Sequence, residues 1–262
     1  MKHLFTLILF FVGFQTSNVE KESAFQDGEW FKFEMSYSGF LKAGNATLTV
    51  KESNLDGKEV FHVVGKGWTT GAIKWFFKVK DRYESYFDKE TGKPYKFIRN
   101  INEGGHTKDI EITFDHKNQK AEVYNKKHKK VTTVTTEQDV QDMVSMYYYL
   151  RNEIDVEALK EGDEIKTNMF FDEENYGFKL KYLGKETIEI DMNGNDVKVK
   201  TIKFRPYVMA GRVFKEEESL TLWVSADKNK IPLKIKADLA VGSLRADLVE
   251  FKGLKHSFKI EF

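Results

Sequence analysis

The chain has 262 residues, 40% of them hydrophobic and 32% charged, and it contains no cysteine. That length buries a substantial core in one large all-β domain or two smaller ones; without thiols there is neither a disulfide nor a bacterial lipoprotein anchor, so a soluble mature protein held together by burial is expected. The 42 basic and 41 acidic groups nearly cancel, which gives no overall steering towards nucleic acid or an anionic membrane, and no nucleic-acid partner is expected.

Lys2 precedes an apolar run from Leu4 to Phe14, followed by Gln15, Thr16 and Ser17. The pattern is that of a secretory signal peptide over residues 1–17, too short to span a bilayer, with Ser17 as the last residue removed. A periplasmic location is the expectation. Residues 18–24 read as a short linker and 25–262 as a single β-rich domain, in which two similar halves (25–135 and 162–254) are joined by a helix at 136–152.

Phe31, Phe33, Met35 and Tyr37 alternate with Lys32, Glu34 and Ser36, the period of a half-buried strand. Ala46, Leu48 and Val50 continue the pattern, and Asp56-Gly57 turns the chain into Val60–Trp68. The segment from Thr70 to Val79 breaks it. Ile73, Trp75, Phe76 and Phe77 form an aromatic cluster of one or two helical turns, which either caps the core or guards the mouth of an apolar cavity. Strands resume over Tyr83–Asp88, Tyr95–Asn102 and around Ile110, Ile112 and Phe114. The basic run Lys126 to Lys130 is the solvated tip of a hairpin.

Val140, Met143, Val144, Tyr147, Tyr148 and Arg151 recur at helical spacing, with Gln138, Asp142, Ser145 and Asn152 opposite. Thr136 is the expected cap, and Asp139 the acid of a capping box. Beyond Gly162 a second β-rich half begins. Asn193-Gly194 marks a hairpin, and the change of phase from Val197 and Val199 to Ile202 and Phe204 predicts a bulge near Lys200 and Thr201. The unit Val224, Asp227, Pro232, Leu233-Lys234-Ile235 echoes Phe87, Asp88, Pro94, Tyr95-Lys96-Phe97. Only six arginines stand among 36 lysines, and each is expected where a planar fork bonds carboxylates or carbonyls.

Gly65-Lys66-Gly67 with Gly71 lacks the spacing of a dinucleotide fingerprint, and Asp191, Asn193 and Asn195 lack the glycine and glutamate that complete a calcium loop. His106 with Asp109, or Asp81 with Glu84, has no third group to complete an acid–base site. No catalytic residue, metal ligand or cofactor is expected, and the chain reads as non-enzymatic.

GEWFKFEMSYSGFLKAGNATLTV, WFFKVKDRYESYFDKETGKPYKF, DMVSMYYYLR and GRVFKEEESLTLWVSADKNKIPLKI, in that order, resemble the bacterial family known as domain of unknown function 3108, over about Phe25 to Leu254. The resemblance implies an exported protein without an assigned activity. Leu222-Trp223-Val224, a turn and Pro232 are also similar in style to lipoprotein-carrier folds of the bacterial envelope, whose curved sheets hold acyl chains. The expected architecture is all-β, a large curved and mostly antiparallel sheet or open barrel with one central α-helix packed on it. The expected function is that of a binding or carrier protein for an apolar or amphipathic ligand such as lipid or lipoprotein, lined by Trp75, Phe76, Phe77, Tyr147 and Tyr148. The alternative is a structural or protein-interaction module of the envelope, partnered by another envelope protein.

Overall fold

The computed structural model describes residues 22–192, 194–209 and 220–260; the signal peptide expected over residues 1–17, Asn193 of the expected hairpin turn and Arg212 lie outside them. The first meander comprises β1 (Trp30–Tyr37), β2 (Leu41–Leu55), β3 (Lys58–Thr69), β4 (Lys80–Asp88), β5 (Pro94–Glu103), β6 (His106–Asp115), β7 (Lys120–Asn125) and β8 (Lys130–Thr135). The second comprises β9 (Glu164–Phe171), β10 (Glu174–Met192), β11 (Asn195–Met209), β12 (Leu220–Ser225), β13 (Pro232–Asp238) and β14 (Ser243–Lys252). Within each, every strand pairs with its chain neighbour, and antiparallel pairing of β1 with β14 joins the two into one 14-stranded sheet. The echoing units are the β4–β5 and β12–β13 hairpins, fourth and fifth strands of their meanders.

The sheet is rolled. Thr135 on β8 and Asn175 on β10 stand twelve strand spacings apart in the sheet order, roughly 60 Å on a flat sheet. Yet the Asn175 side-chain amide donates to the Thr135 carbonyl at 2.8 Å. The roll does not close into a barrel. Between the edge strands β8 and β9 runs the segment 136–144, from which Gln141 makes a parallel bridge to Met169 on β9.

Two helices interrupt the strands, α1 (Ile73–Phe76) and α2 (Ser145–Glu153). The helix expected over 136–152 is therefore corrected at its start. Gln141 is held by β9, its N–H donating to the Asn168 carbonyl at 2.9 Å and its carbonyl accepting from Phe170 at 2.8 Å. Asp142, rather than Thr136, caps the helix: its Oδ1 accepts from the amides of Val144 (2.7 Å) and Ser145 (2.8 Å), and its own amide donates to Ser145 Oγ at 3.0 Å. This reciprocal pairing is a capping box six residues later than expected. Asp139, with φ 53°, instead pairs with Lys93 at 2.6 Å.

Of the face expected to be polar, Asp142 and Ser145 are buried, and Ser85 on β4 donates to Asp142 Oδ2 at 2.6 Å, whereas Gln138 is exposed and Asn152 half-buried. The helix thus lies inside the roll with both flanks covered. Val144 and Tyr148 join Phe25, Phe61, Phe87, Phe97, Phe114 and Phe170 in one cluster. Met146, Leu150 and Ile154 join Phe178, Leu180, Ile202 and Phe204 in another. A third cluster gathers Phe31, Phe33 and Leu248 at the β1–β14 seam with Ile190 and Val199 of the long β10–β11 hairpin. The predicted bulge lies in that hairpin but on the partner strand, where two residues of β10 between Tyr182 and Lys185 face one of β11; Gly184, with φ 105°, supplies the conformation. The change of phase on β11 separates the seam cluster from the one under α2.

One ion pair anchors α2 to the rest of the chain. Arg151, 3% exposed, donates from both terminal nitrogens to Glu29, which is fully buried, at 2.6 and 2.7 Å. Its Nε donates to the Asn229 carbonyl at 2.9 Å and its Nη2 to the Ala24 carbonyl at 3.2 Å. Burial pushes the Glu29 carboxyl up, and the guanidinium against both its oxygens pulls it back. Ala24, expected at the end of a linker, is buried and its amide donates to Asn152. Arg82, Arg99 and Arg245 likewise pair with Glu84, Asp172 and Asp247, the role expected of arginine in a lysine-rich chain.

Candidate functional site

Between α2 and the inner face of the second meander lies a cavity of about 410 Å³. From the helix Met146, Tyr147, Leu150 and the flanking Ile154 form its roof; Met169, Phe178 and Leu180 on β9–β10 and Phe204, Leu222 and Ile235 on β11–β13 form its walls. Protein interiors leave few voids larger than a water molecule, so this space calls for a local cause. On the flank towards the first meander, Phe61, Phe87, Phe97 and Phe114, together with Phe25 ahead of β1 and Phe170 on β9, fill the distance between sheet and helix. On the flank towards the second, Phe178, Tyr182 and Phe204 stand among Met169, Leu180, Ile202 and Val224, and these side chains do not fill the space beneath Met146 and Leu150. Three lining methionines, Met143, Met146 and Met169, add rotatable, polarisable walls that adapt to shape.

The polar boundary is narrow. Arg151 and Lys230 reach the cavity at the carboxyl end of α2. Arg151 is committed to Glu29, and Lys230 Nζ donates to the Arg151 carbonyl at 2.8 Å. The Tyr147 ring lies on the Arg151 guanidinium, 5.3 Å from its centroid, and burial pushes the phenol above its ordinary range. The opposite end of the helix holds the buried Asp142, whose carboxyl burial raises from 3.8 to about 6. In this arrangement Ser85 and Asp142, a hydroxyl on a carboxylate, are both fully buried and line no part of the cavity. What it provides is an apolar volume with charge at one end.

The five aromatic residues expected to line a ligand site do not converge. Tyr147 lines the cavity. Tyr148, one position on, turns to the other flank, where it is 1% exposed and packs edge-on against Phe25 at 4.7 Å and stacked on Phe87 at 5.6 Å. It completes the core. Trp75, Phe76 and Phe77 lie on the β3–β4 loop, 88%, 88% and 52% exposed, and line no part of the cavity. Helix α1 buries none of its residues, so the segment caps no core either. The lining residues that were missed, Met146, Leu150, Leu180 and Leu222 among them, alternate in sequence as ordinary core residues do; only the spacing between sheet and helix distinguishes them.

A family model described as "Protein of unknown function (DUF3108)" matches residues 32–249. The chain belongs to this DUF3108 family. No curated protein sequence matches it. A β-barrel-like protein of the domain of unknown function DUF1849 from Brucella abortus shares the fold, with TM-score 0.59 at 12% identity over 88% of this chain and 99% of that one. A Bacteroides fragilis protein described as exported, with a YmcC-like fold, aligns at TM-score 0.35 and 9% identity over 87% of this chain and 97% of that one. The Brucella structure corroborates the large rolled sheet of this DUF3108 member and says nothing of a ligand; the second likeness is too distant to carry an argument.

Proposed function

We propose that this DUF3108 protein is an exported, periplasmic binding or carrier protein, without catalytic activity, for the acyl portion of a lipid or lipoprotein. The observation that carries the reading is the 410 Å³ cavity with its almost wholly apolar wall. Its size falls within the roughly 300–1,000 Å³ of small-molecule sites, and each methylene moved into it from water contributes about 0.8 kcal/mol. Arg151 and Lys230 at one end of the lining suit an amphipathic ligand whose head carries negative charge. The leader-like start of the chain supports export.

The test is a fluorescence titration of refolded, lipid-free protein with a dansyl-labelled undecanoic acid. Saturable binding is expected, weakened at least tenfold by Leu222→Trp, which fills the cavity, with the thermal midpoint held or raised. Equal binding by both proteins contradicts the reading. The second reading, an envelope interaction module without a small ligand, draws on the exposed Trp75 and Phe76; it predicts no binding of the probe by either protein.

A further inference from the structure

We propose that three adjacent loops at one end of the sheet form a docking surface for an anionic lipid bilayer. The β1–β2, β3–β4 and β13–β14 connections all leave the same end, because Leu41 pairs with Tyr37, Gly44 with Thr69 and Asp238 with Ser243. The strands between them are neighbours in the order β4-β3-β2-β1-β14-β13, so the loop tips are spaced about 10 Å apart and span roughly 20 Å. Each tip carries an apolar side chain in solvent: Phe40 is 80% exposed, Trp75 and Phe76 88% each, and Val241 77%.

The tips are held in place. Thr70 donates to the Ala43 carbonyl at 3.1 Å, Gly104 to that of Lys78 at 2.9 Å, and Ser38 to that of Ser243 at 2.7 Å. Tyr37 Oη donates to the Val241 carbonyl at 2.8 Å. Phe77 packs on Gly104, where a Cβ would collide with its ring, which turns Trp75 and Phe76 outward.

Charge decides the partner. Residues 38–43, 70–80 and 238–245 contain Lys42, Lys74, Lys78, Lys80 and Arg245 against the single acid Asp238, which pairs with Lys236. Lys42 and Arg245 pair with Glu34 and Asp247. Lys74, Lys78 and Lys80 are exposed and make no ion pair among the described residues; the nearby Asp81 and Glu103 carboxyls face one another. Protein-interface cores are depleted in lysine. Bilayer-surface motifs, by contrast, interleave Trp and Phe with Lys: the rings enter the headgroup region and each ammonium is drawn to anionic lipid. Separate protruding tips suit a deformable bilayer better than a flat protein face, and none of this rests on the cavity.

The experiment is co-sedimentation of the purified protein with phosphatidylcholine vesicles, with and without 30% phosphatidylglycerol, while Trp fluorescence is followed. Binding to the anionic vesicles is expected, with a blue shift, at least tenfold weaker on neutral vesicles and falling with salt. Trp75→Ser with Phe76→Ser should lose at least tenfold in binding at an unchanged thermal midpoint, since neither side chain is buried; Lys74→Glu with Lys78→Glu should lose the preference for anionic lipid. Absence of vesicle binding by the parent protein, or equal binding by the Trp75/Phe76 variant, overturns the proposal. So does self-association in light scattering that the variant abolishes while the parent ignores vesicles, because the patch is then a protein interface.

Discussion

Helix α2 lies between two meanders that meet it differently. On the first-meander flank, Tyr148 is enclosed by Phe25 and Phe87 and the cluster is continuous to Val123 on β7. On the second-meander flank, Met146, Leu150 and Ile154 face a cavity of about 410 Å³. Both flanks carry aromatic residues, Phe61, Phe87, Phe97 and Phe114 on the first meander and Phe178, Tyr182 and Phe204 on the second; the first is completed by Phe25, inserted from ahead of β1 against Tyr148, and the second keeps the cavity. One sheet thereby supplies a packed core and a cavity on opposite sides of the same nine-residue helix.

Breaking the anchor common to both flanks has the largest expected effect. Arg151→Met leaves Glu29 buried without its partner, and loss of one member of a buried pair costs about 3–5 kcal/mol. Denaturant unfolding should show that loss, and Glu29→Gln in the same chain should recover part of it.

Asp142 provides the next. Burial raises its folded pKa from 3.8 to about 6, so the folded chain holds this proton more tightly than the unfolded chain. The stability that protonation contributes is complete below about pH 4 and is lost as pH rises to about 6, a change of ~3 kcal/mol. Asp142→Asn keeps an acceptor for the helix amides and does not titrate. Its stability relative to the parent should therefore improve by ~3 kcal/mol between pH 4 and 7 in paired unfolding curves; a constant difference would show that Asp142 is not buried as described.

The comparison of flanks is sharpened by adding volume to each. Val123→Phe on the packed side should cost about 1–3 kcal/mol by overpacking, whereas Leu222→Phe on the cavity side should cost less than ~1 kcal/mol or stabilise. Equal penalties in thermal unfolding would mean that the two flanks are equally full.

Much of the sheet was legible because its signals are local. The alternation of Phe31, Phe33 and Met35 and the turn at Asp56-Gly57 are properties of a few consecutive residues, and these segments became β1 and the β2–β3 hairpin. The start of α2 was not legible. Asp142 and Ser145 look like a solvent face until Ser85, 57 positions away, buries them, and Gln141 looks helical until β9 takes its backbone. The cavity was hidden for the same reason, because Leu180 and Leu222 carry the period of any core strand and the void belongs to the distance between elements. The Trp75 segment announced itself by its aromatics, but strand order, a non-local property, placed it on an exterior rim.

The proposed ligand space is the cavity on the second-meander flank. Native mass spectrometry of the protein purified from its own cells tests that reading most directly, alongside the Leu222→Trp variant prepared in the same way. The account predicts a lipid-sized adduct on the parent protein that disappears on denaturation and is absent from the variant. A parent protein that carries only its own mass, or a variant that carries the same adduct, would contradict it.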